Sequence, residues 1–236
     1  MQRYFALNDK LELNTSDIYH MHKVMRMKKG DKVEVIYDGN IHLCKIKELS
    51  VNNVKLDIEQ TESVDNQLPV KVSIAISLVN EQKWNYILQK TTELGVSEII
   101  PLQLSRTLIK IDEDRYMKKM DRWLKICKEA AEQSHRIDIP SISKMMTIKD
   151  LIETNYDLKI VCSTSNESIN LKQILSKDEK CGRILVVIGP EGGISPAEET
   201  MLVKNDFIKA SLGNFILRVE TAPLFVLSAI NYELMR

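Results

Sequence analysis

Over residues 1 to about 68, apolar and polar positions alternate with a period of two. Lys32-Val33-Glu34-Val35-Ile36-Tyr37 runs into the turn residues Asp38-Gly39-Asn40; residues 41–49 alternate again, and Val51-Asn52-Asn53 leads into Val54-Lys55-Leu56-Asp57-Ile58. Successive side chains of a strand point to opposite faces, so this pattern, broken by Gly and Asn, predicts hairpins of half-buried strands. One helix interrupts them. Ile18, Met21, His22 and Met25 share a face at helical spacing, with Thr15 or Ser16 as cap. The polar residues 60–67 read as a linker.

From Pro69 the pattern changes to strands alternating with helices. Residues 70–79 form a strand, 81–94 a helix with Trp84, Ile87, Leu88 and Thr91 on one side, and 98–102 a short strand. A long helix over 114–136 buries Tyr116, Met120, Trp123, Leu124, Cys127 and Ala131. Residues 158–162 and 183–188 are apolar runs of the kind that parallel sheets cover on both faces. Ser195-Pro196-Ala197-Glu198 is a capping box with proline at the first helical position, so a helix starts there. Residues 207–212 give a further strand. Residues 223–235 give a last helix, apolar nearly all round, which implies burial or an oligomer interface. A small β-rich domain over 1–68 therefore precedes an α/β domain over 69–236.

With 236 residues, 44% hydrophobic and 28% charged, the chain has the composition of a globular protein with a sizeable core. It has no apolar run long enough for a signal peptide at its start, and none approaching a membrane span. Cys44, Cys127, Cys162 and Cys181 contain no Cys-x-x-Cys pair, and His20, His22, His42 and His135 show no ligand spacing with them. No metal site is expected, and the thiols are read as reduced in a cytoplasmic protein. Lys+Arg and Asp+Glu are 33 each, which argues at first against a polyanionic partner. Placing the charges changes that. Between His20 and Lys32 five basic residues face Asp31 alone, while residues 1–68 as a whole carry a net charge of −1. A local basic segment in a small β domain fits contacts to an RNA backbone; a solvated helix end is the plain alternative.

Two loops are candidates for chemistry. Ile188-Gly189-Pro190-Glu191-Gly192-Gly193-Ile194 lies between a buried strand and the capped helix, where open α/β sheets bind ligands. It matches neither a dinucleotide nor a triphosphate fingerprint, and on its own it also reads as a tight turn. Ser211-Leu212-Gly213-Asn214-Phe215-Ile216-Leu217-Arg218-Val219-Glu220-Thr221-Ala222-Pro223 also joins a strand to a helix. Leu212, Ile216 and Leu217 supply apolar walls, and Arg218 and Glu220 are either functional charges or a structural pair. Glu129-Ala130-Ala131-Glu132-Gln133-Ser134-His135-Arg136 puts Glu129, Glu132, Gln133 and Arg136 on one helix face, for which solvation is the plain reading. Lys90 and Glu93 read as surface charges before Gly95, a helix C-cap.

Taken together, these residues resemble the RsmE family of the SPOUT, or trefoil-knotted, methyltransferases. The likeness runs in order through His22-Lys23-Val24-Met25-Arg26-Met27-Lys28-Lys29-Gly30-Asp31, residues 89–96, Leu104-Ser105-Arg106-Thr107, residues 129–136 with Pro140, residues 188–195 and residues 212–222. The Gly-Pro-Glu-Gly-Gly loop marks the superfamily; Glu-Ala-Ala-Glu-Gln-Ser-x-Arg and Leu-Arg-x-Glu-Thr-Ala are more particular to this branch. Asn214-Phe215 departs from it where a basic residue is usual, and Ile194 stands where Phe is common.

The resemblance implies a PUA-like β-barrel for RNA, followed by an α/β trefoil-knot domain with a parallel sheet that binds S-adenosylmethionine, in a homodimer. It implies methylation of N3 of a uridine in 16S ribosomal RNA; without overall positive charge, the protein is expected to find naked RNA a poorer substrate than the assembled 30S subunit. The cofactor would sit among Cys162, Ser163 and Thr164; Ile188, Gly189, Pro190, Glu191, Gly192 and Gly193; and Ser211, Leu212, Gly213, Ile216, Leu217, Arg218, Thr221 and Ala222. Arg218 is the candidate for stabilising a uracil anion, with Glu220 or Glu132 accepting the proton or orienting Arg218. Lys23, Arg26 and Lys28 would hold RNA, assisted by Arg3, Arg106 and Arg136. Another SPOUT reaction, on a ribose 2′-oxygen or a tRNA base, and a non-catalytic RNA-binding module are the alternatives.

Overall fold

A computed structural model describes residues 1–64, 68–176 and 182–234, so Cys181, Met235 and residues 65–67 of the expected linker lie outside the described residues. The chain forms two compact units, Met1–Gln67 with Lys128–Ile139, and Leu68–Cys127 with Pro140–Arg236.

In the first unit, β1 (Arg3–Phe5), α1 (Thr15–Tyr19), β2 (Lys32–Tyr37), β3 (Asn40–Leu49) and β4 (Val54–Ser63) follow in sequence. The sheet order is β1-β2-β3-β4, with β1 parallel to β2 and the other pairs antiparallel. Asp38 (φ 46°) and Gly39 (φ 72°) turn the chain between the paired Tyr37 and Asn40. Two left-handed central residues match the right-handed twist of the strands they join. β4 runs on to Ser63, through residues expected to be linker. Those residues pair with β3 on one side only, and an edge strand can be polar without losing its ladder. Tyr4, Leu13, Ile18, Met21, Val33, Val35, Cys44 and Ile46 form the core.

The cap of α1 is Asn14, not Thr15 or Ser16; its side chain accepts from the Ser16 N–H at 2.8 Å. The helix continues as a π turn over His20–Val24, closed by Met25 N–H to His20 C=O. That wider turn shifts the face, so Met21 is buried while Met25 is exposed. Arg26 follows with φ 52°.

Lys128–Ile139 belongs to this unit because it covers β1. The Arg3 side chain is 5% exposed, bonds Glu34 Oε2 at 2.8 Å and donates from Nη1 to the carbonyls of His135 and Arg136. The Phe5 N–H bonds Glu132. Lys128 Nζ lies 2.5 and 2.6 Å from the two Asp17 oxygens and 3.1 Å from Glu132 Oε1. Glu132 is therefore not on a solvated face. Burial raises its carboxyl above the ordinary range, although the Lys128 charge works the other way.

The second unit contains β5 (Lys71–Ser77), α2 (Glu81–Glu93), β6 (Glu98–Gln103), most of α3 (Glu113–Gln133), β7 (Ser141–Ile142), β8 (Met146–Thr147), α4 (Ile148–Ile152), β9 (Leu158–Cys162), β10 (Ile169–Asn170), α5 (Leu171–Leu175), β11 (Arg183–Ile188), α6 (Pro196–Val203), β12 (Ile208–Ser211) and α7 (Ala222–Leu234). The strands form one sheet in the order β10-β12-β9-β11-β5-β6-β7, with β8 also on β6, and every pairing is parallel. Ala75, Ile100, Leu102, Val161, Leu185, Val187, Leu202 and Phe207 pack into its core. Trp84 of α2 meets Trp123 of α3 with ring centroids 5.4 Å apart. Leu124 is exposed, because its helical neighbour Trp123 takes the inward direction. α7 buries Ala222, Pro223, Val226, Leu227 and Ile230 and leaves Phe225 and Tyr232 exposed, so it is apolar on both sides but covered on one.

Candidate active site

Parallel strands all end on one edge of a sheet, and the order β12-β9-β11 makes three of those ends adjacent. The loops that leave them are the ones singled out in the sequence: Cys162-Ser163-Thr164 after β9, Gly189 to Gly193 after β11, and Leu212 to Arg218 after β12. The sheet also changes direction here. β5 leads through α2 to β6 on one side, whereas β11 leads through α6 to β12 on the other, so β11 and β5 flank a topological switch point. In open parallel sheets the crevice beyond such a point is where ligands bind.

The glycine loop is shaped by contacts that tolerate no side chain at one position. A Cβ at Gly189 would lie 2.8 Å from Ile194 Cγ1 and 3.0 Å from the Ile194 N atom. Gly193 (φ 70°) closes the turn by donating to the Pro190 carbonyl at 2.8 Å. Ser195 and Glu198 form the expected capping box, and Glu198 also accepts from the Ser105 N–H (2.7 Å) and hydroxyl (2.8 Å). Burial alone would raise the Glu198 carboxyl; the bonds from Ser195 and Ser105 outweigh it and hold the group below its ordinary range. Arg106 Nη1 donates to the Gly192 carbonyl at 2.9 Å.

The loop after β12 presents apolar surface. Ile216 and Phe215 are 85% and 84% exposed, and Leu212 and Leu217 are half-buried. Gly213 (φ 111°) has open space where a Cβ would sit. The Arg218 carbonyl accepts from the Thr221 and Ala222 N–H groups, which fixes its backbone, while its side chain is exposed. Glu220 does not form the structural pair with Arg218: its Oε2 lies 3.5 Å from Lys83 Nζ. The same ammonium bonds Glu191 Oε1 at 2.8 Å. That bond holds the Glu191 carboxyl below and the Lys83 ammonium above their ordinary ranges. Burial pushes the Cys162 thiol up to about 12, so at neutral pH it is protonated and not a nucleophile.

Lys83 was missed in the sequence. The available signal was a cation in the first turn of a helix that follows a sheet strand, where the helix dipole disfavours it. Glu132 belongs to the other unit, where it binds Phe5 and Lys128. Of the residues expected to meet RNA, Lys23, Arg26 and Lys28 are exposed on the π turn and the loop after it. Arg3 is built into the framework, and Arg136 bonds Asp138 through Nε (3.1 Å) and Nη2 (2.8 Å). Among the described residues, no group of three or more His, Cys, Asp or Glu could hold a metal, and no helix is long and apolar enough to cross a membrane.

The architecture and its strand-end crevice define an RNA methyltransferase of the SPOUT class. The model of the RNA methyltransferase domain matches residues 66–231, and that of the RNA methyltransferase PUA domain matches residues 13–59. Ribosomal RNA small subunit methyltransferase E of Bacillus subtilis is 36% identical, over 99% of this chain and 97% of that protein. The chain belongs to this family. The structure of the Neisseria gonorrhoeae ribosomal RNA small subunit methyltransferase E, bound to S-adenosyl methionine, superposes with TM-score 0.87 at 25% identity, covering 98% of this chain and 97% of that one. A Legionella pneumophila methyltransferase in complex with the same cofactor gives TM-score 0.90 at 27% identity, again over 98% and 97%.

Proposed function

We propose that the protein is an S-adenosylmethionine-dependent methyltransferase that modifies N3 of a uridine in 16S ribosomal RNA of the small subunit, acting in the cytoplasm as a homodimer. The observation that carries this reading is the convergence of three loops at the carboxyl ends of β12, β9 and β11, in a chain of this family. The residues fit the cofactor. Leu212, Ile216 and Leu217 offer apolar walls for an adenine ring, Gly213 leaves open space, and the tight packing at Gly189 sets the floor of the loop. The exposed Phe225 and Tyr232 of α7 support a second copy as the partner that covers them.

S-adenosylmethionine, which the loops after β9, β11 and β12 would hold, would supply a methyl group already activated by its sulfonium. The chain's own task is to hold the base and remove the N3 proton. A target on the Watson–Crick edge has to leave any base pair, so the base enters the crevice flipped out. Arg218, fixed by its carbonyl and free at its guanidinium among the described residues, donates to a uracil oxygen and stabilises the charge left by deprotonation. Glu220 accepts the proton. Lys23, Arg26 and Lys28 contact RNA phosphates.

The test is methylation of 30S subunits from a strain that lacks the modification, followed by nucleoside mass spectrometry. 3-Methyluridine is the expected product. A ribose-methylated nucleoside, or cofactor binding with no transfer, overturns the reading.

A further inference from the structure

Lys83 stands at the third position of α2, directly after β5, and its backbone N–H is held at 3.0 Å by the Asn80 side chain. Its ammonium lies 2.8 Å from Glu191 Oε1, beyond β11, and 3.5 Å from Glu220 Oε2, beyond β12. Segments leaving three different strands therefore meet at one cation, across the switch point of the sheet. The two carboxylates are not equivalent. Glu191 is half exposed at its side chain and takes a short bond. Glu220 is 16% exposed, and its Oε2 is buried with the Lys83 ammonium 3.5 Å away, a much longer contact than the one to Glu191. Buried polar atoms are nearly always bonded. A carboxylate balanced by so long a contact keeps lone-pair capacity for a donor that enters the site.

We propose that Lys83 is a positioning residue for proton removal: by clamping Glu191 and Glu220 it holds the Glu220 carboxylate in place for the N3–H of the incoming base. The inference rests on the uridine-N3 reading and adds to it the group that holds the base in place. The N3–H bond breaks toward the Glu220 carboxylate, a new O–H bond forms there, and the electron pair stays on N3. Lys83 keeps its own protons and touches neither reactant.

The experiment compares Lys83→Met, which keeps the length and removes the charge, with Lys83→Arg, in the full chain. Four quantities are read: melting temperature, S-adenosylmethionine affinity by calorimetry, and kcat and KM on 30S subunits. K83M is expected to stay folded, to bind the cofactor within about threefold of the parent, and to lose about tenfold or more in kcat at unchanged KM for the subunit. K83R is expected to recover most of that kcat. A parent-level kcat in K83M, a fall that K83R does not recover, or a fall that saturating cofactor abolishes overturns the role of Lys83. If K83M does not fold, Glu191→Gln breaks the clamp from its other end and carries the same expectation and the same overturning result. A parent enzyme that yields no 3-methyluridine overturns the uridine-N3 reading and this inference with it, whereas an active parent with an equally active K83M overturns the inference alone.

Discussion

Arg106 Nη1 donates to the Gly192 carbonyl at 2.9 Å, so the segment after β6 holds the glycine loop after β11 across the intervening β5. The bond orients the Gly192 peptide and with it the crevice wall. A hydrogen bond from a charged group contributes more than a neutral one, but this side chain is exposed, which brings the figure to about 1 kcal/mol. Arg106→Met should therefore weaken S-adenosylmethionine binding about fivefold in calorimetry. If cofactor affinity is unchanged and only RNA affinity falls, Arg106 serves RNA, as the family likeness implies.

Arg3 is the opposite case, a basic residue withdrawn from solvent. Its guanidinium joins Glu34 to the carbonyls of His135 and Arg136, and so fastens the 128–139 segment along β1. Removing it strands a carboxylate and two carbonyls. Arg3→Met should cost about 3 kcal/mol, seen as a fall in melting temperature of roughly 6–12 °C for a chain of this size. An RNA-contact residue would leave the melting temperature alone and weaken binding with a reduced salt slope.

These two arginines show where sequence reading stops. Two of the strand-end loops, after β11 and β12, were legible because each is local: a buried apolar run, glycines, then a capped helix or Pro223; the loop after Cys162 came only from the family likeness. The capping box at Ser195 and the turn at Asp38-Gly39 were legible for the same reason. Lys83 was not, since its bond to Glu191 joins residues 108 positions apart. Nor was the burial of Glu132, which depends on an N–H of Phe5 and on a lysine it shares with Asp17. The π turn at His20–Val24 has no period that a helical or strand template detects, and it moved Met25 off the buried face. Polar residues 60–63 looked like linker because an edge strand needs backbone pairing more than apolar side chains.

Glu198 gives a pH dependence with a definite sign. Its carboxyl lies below the ordinary range in the folded chain, held there against burial by the bonds from Ser195 and Ser105. A lowered folded value means that its contribution is fully present above the unfolded value of about 4.3 and is lost as pH falls through the folded one. Between about pH 5 and pH 3 the parent should therefore lose stability more steeply than Glu198→Gln in urea titrations. At neutral pH the variant should be less stable by about 1 kcal/mol, from the damaged capping box. Parallel acid profiles for the two proteins would show that the Glu198 charge adds nothing.

The glycine loop allows a paired test of shape against flexibility. At Gly189 an added Cβ meets Ile194 Cγ1 at 2.8 Å and the Ile194 N atom at 3.0 Å, and the second of these is backbone. At Gly192 it meets only Arg106 Cβ and Cδ, at 3.6 and 3.7 Å, which is ordinary contact. Gly189→Ala should thus cost about 1–3 kcal/mol of stability, as overpacking does, and lower cofactor affinity by roughly tenfold or more. Gly192→Ala should stay within about twofold of the parent in affinity. Adding Ile194→Ala to Gly189→Ala removes the Cγ1 clash but leaves the backbone one, so recovery should be partial. Full recovery would show that side-chain crowding alone fixes the loop; equal loss in the two single variants would show that the loop needs glycine for its freedom and not for its packing.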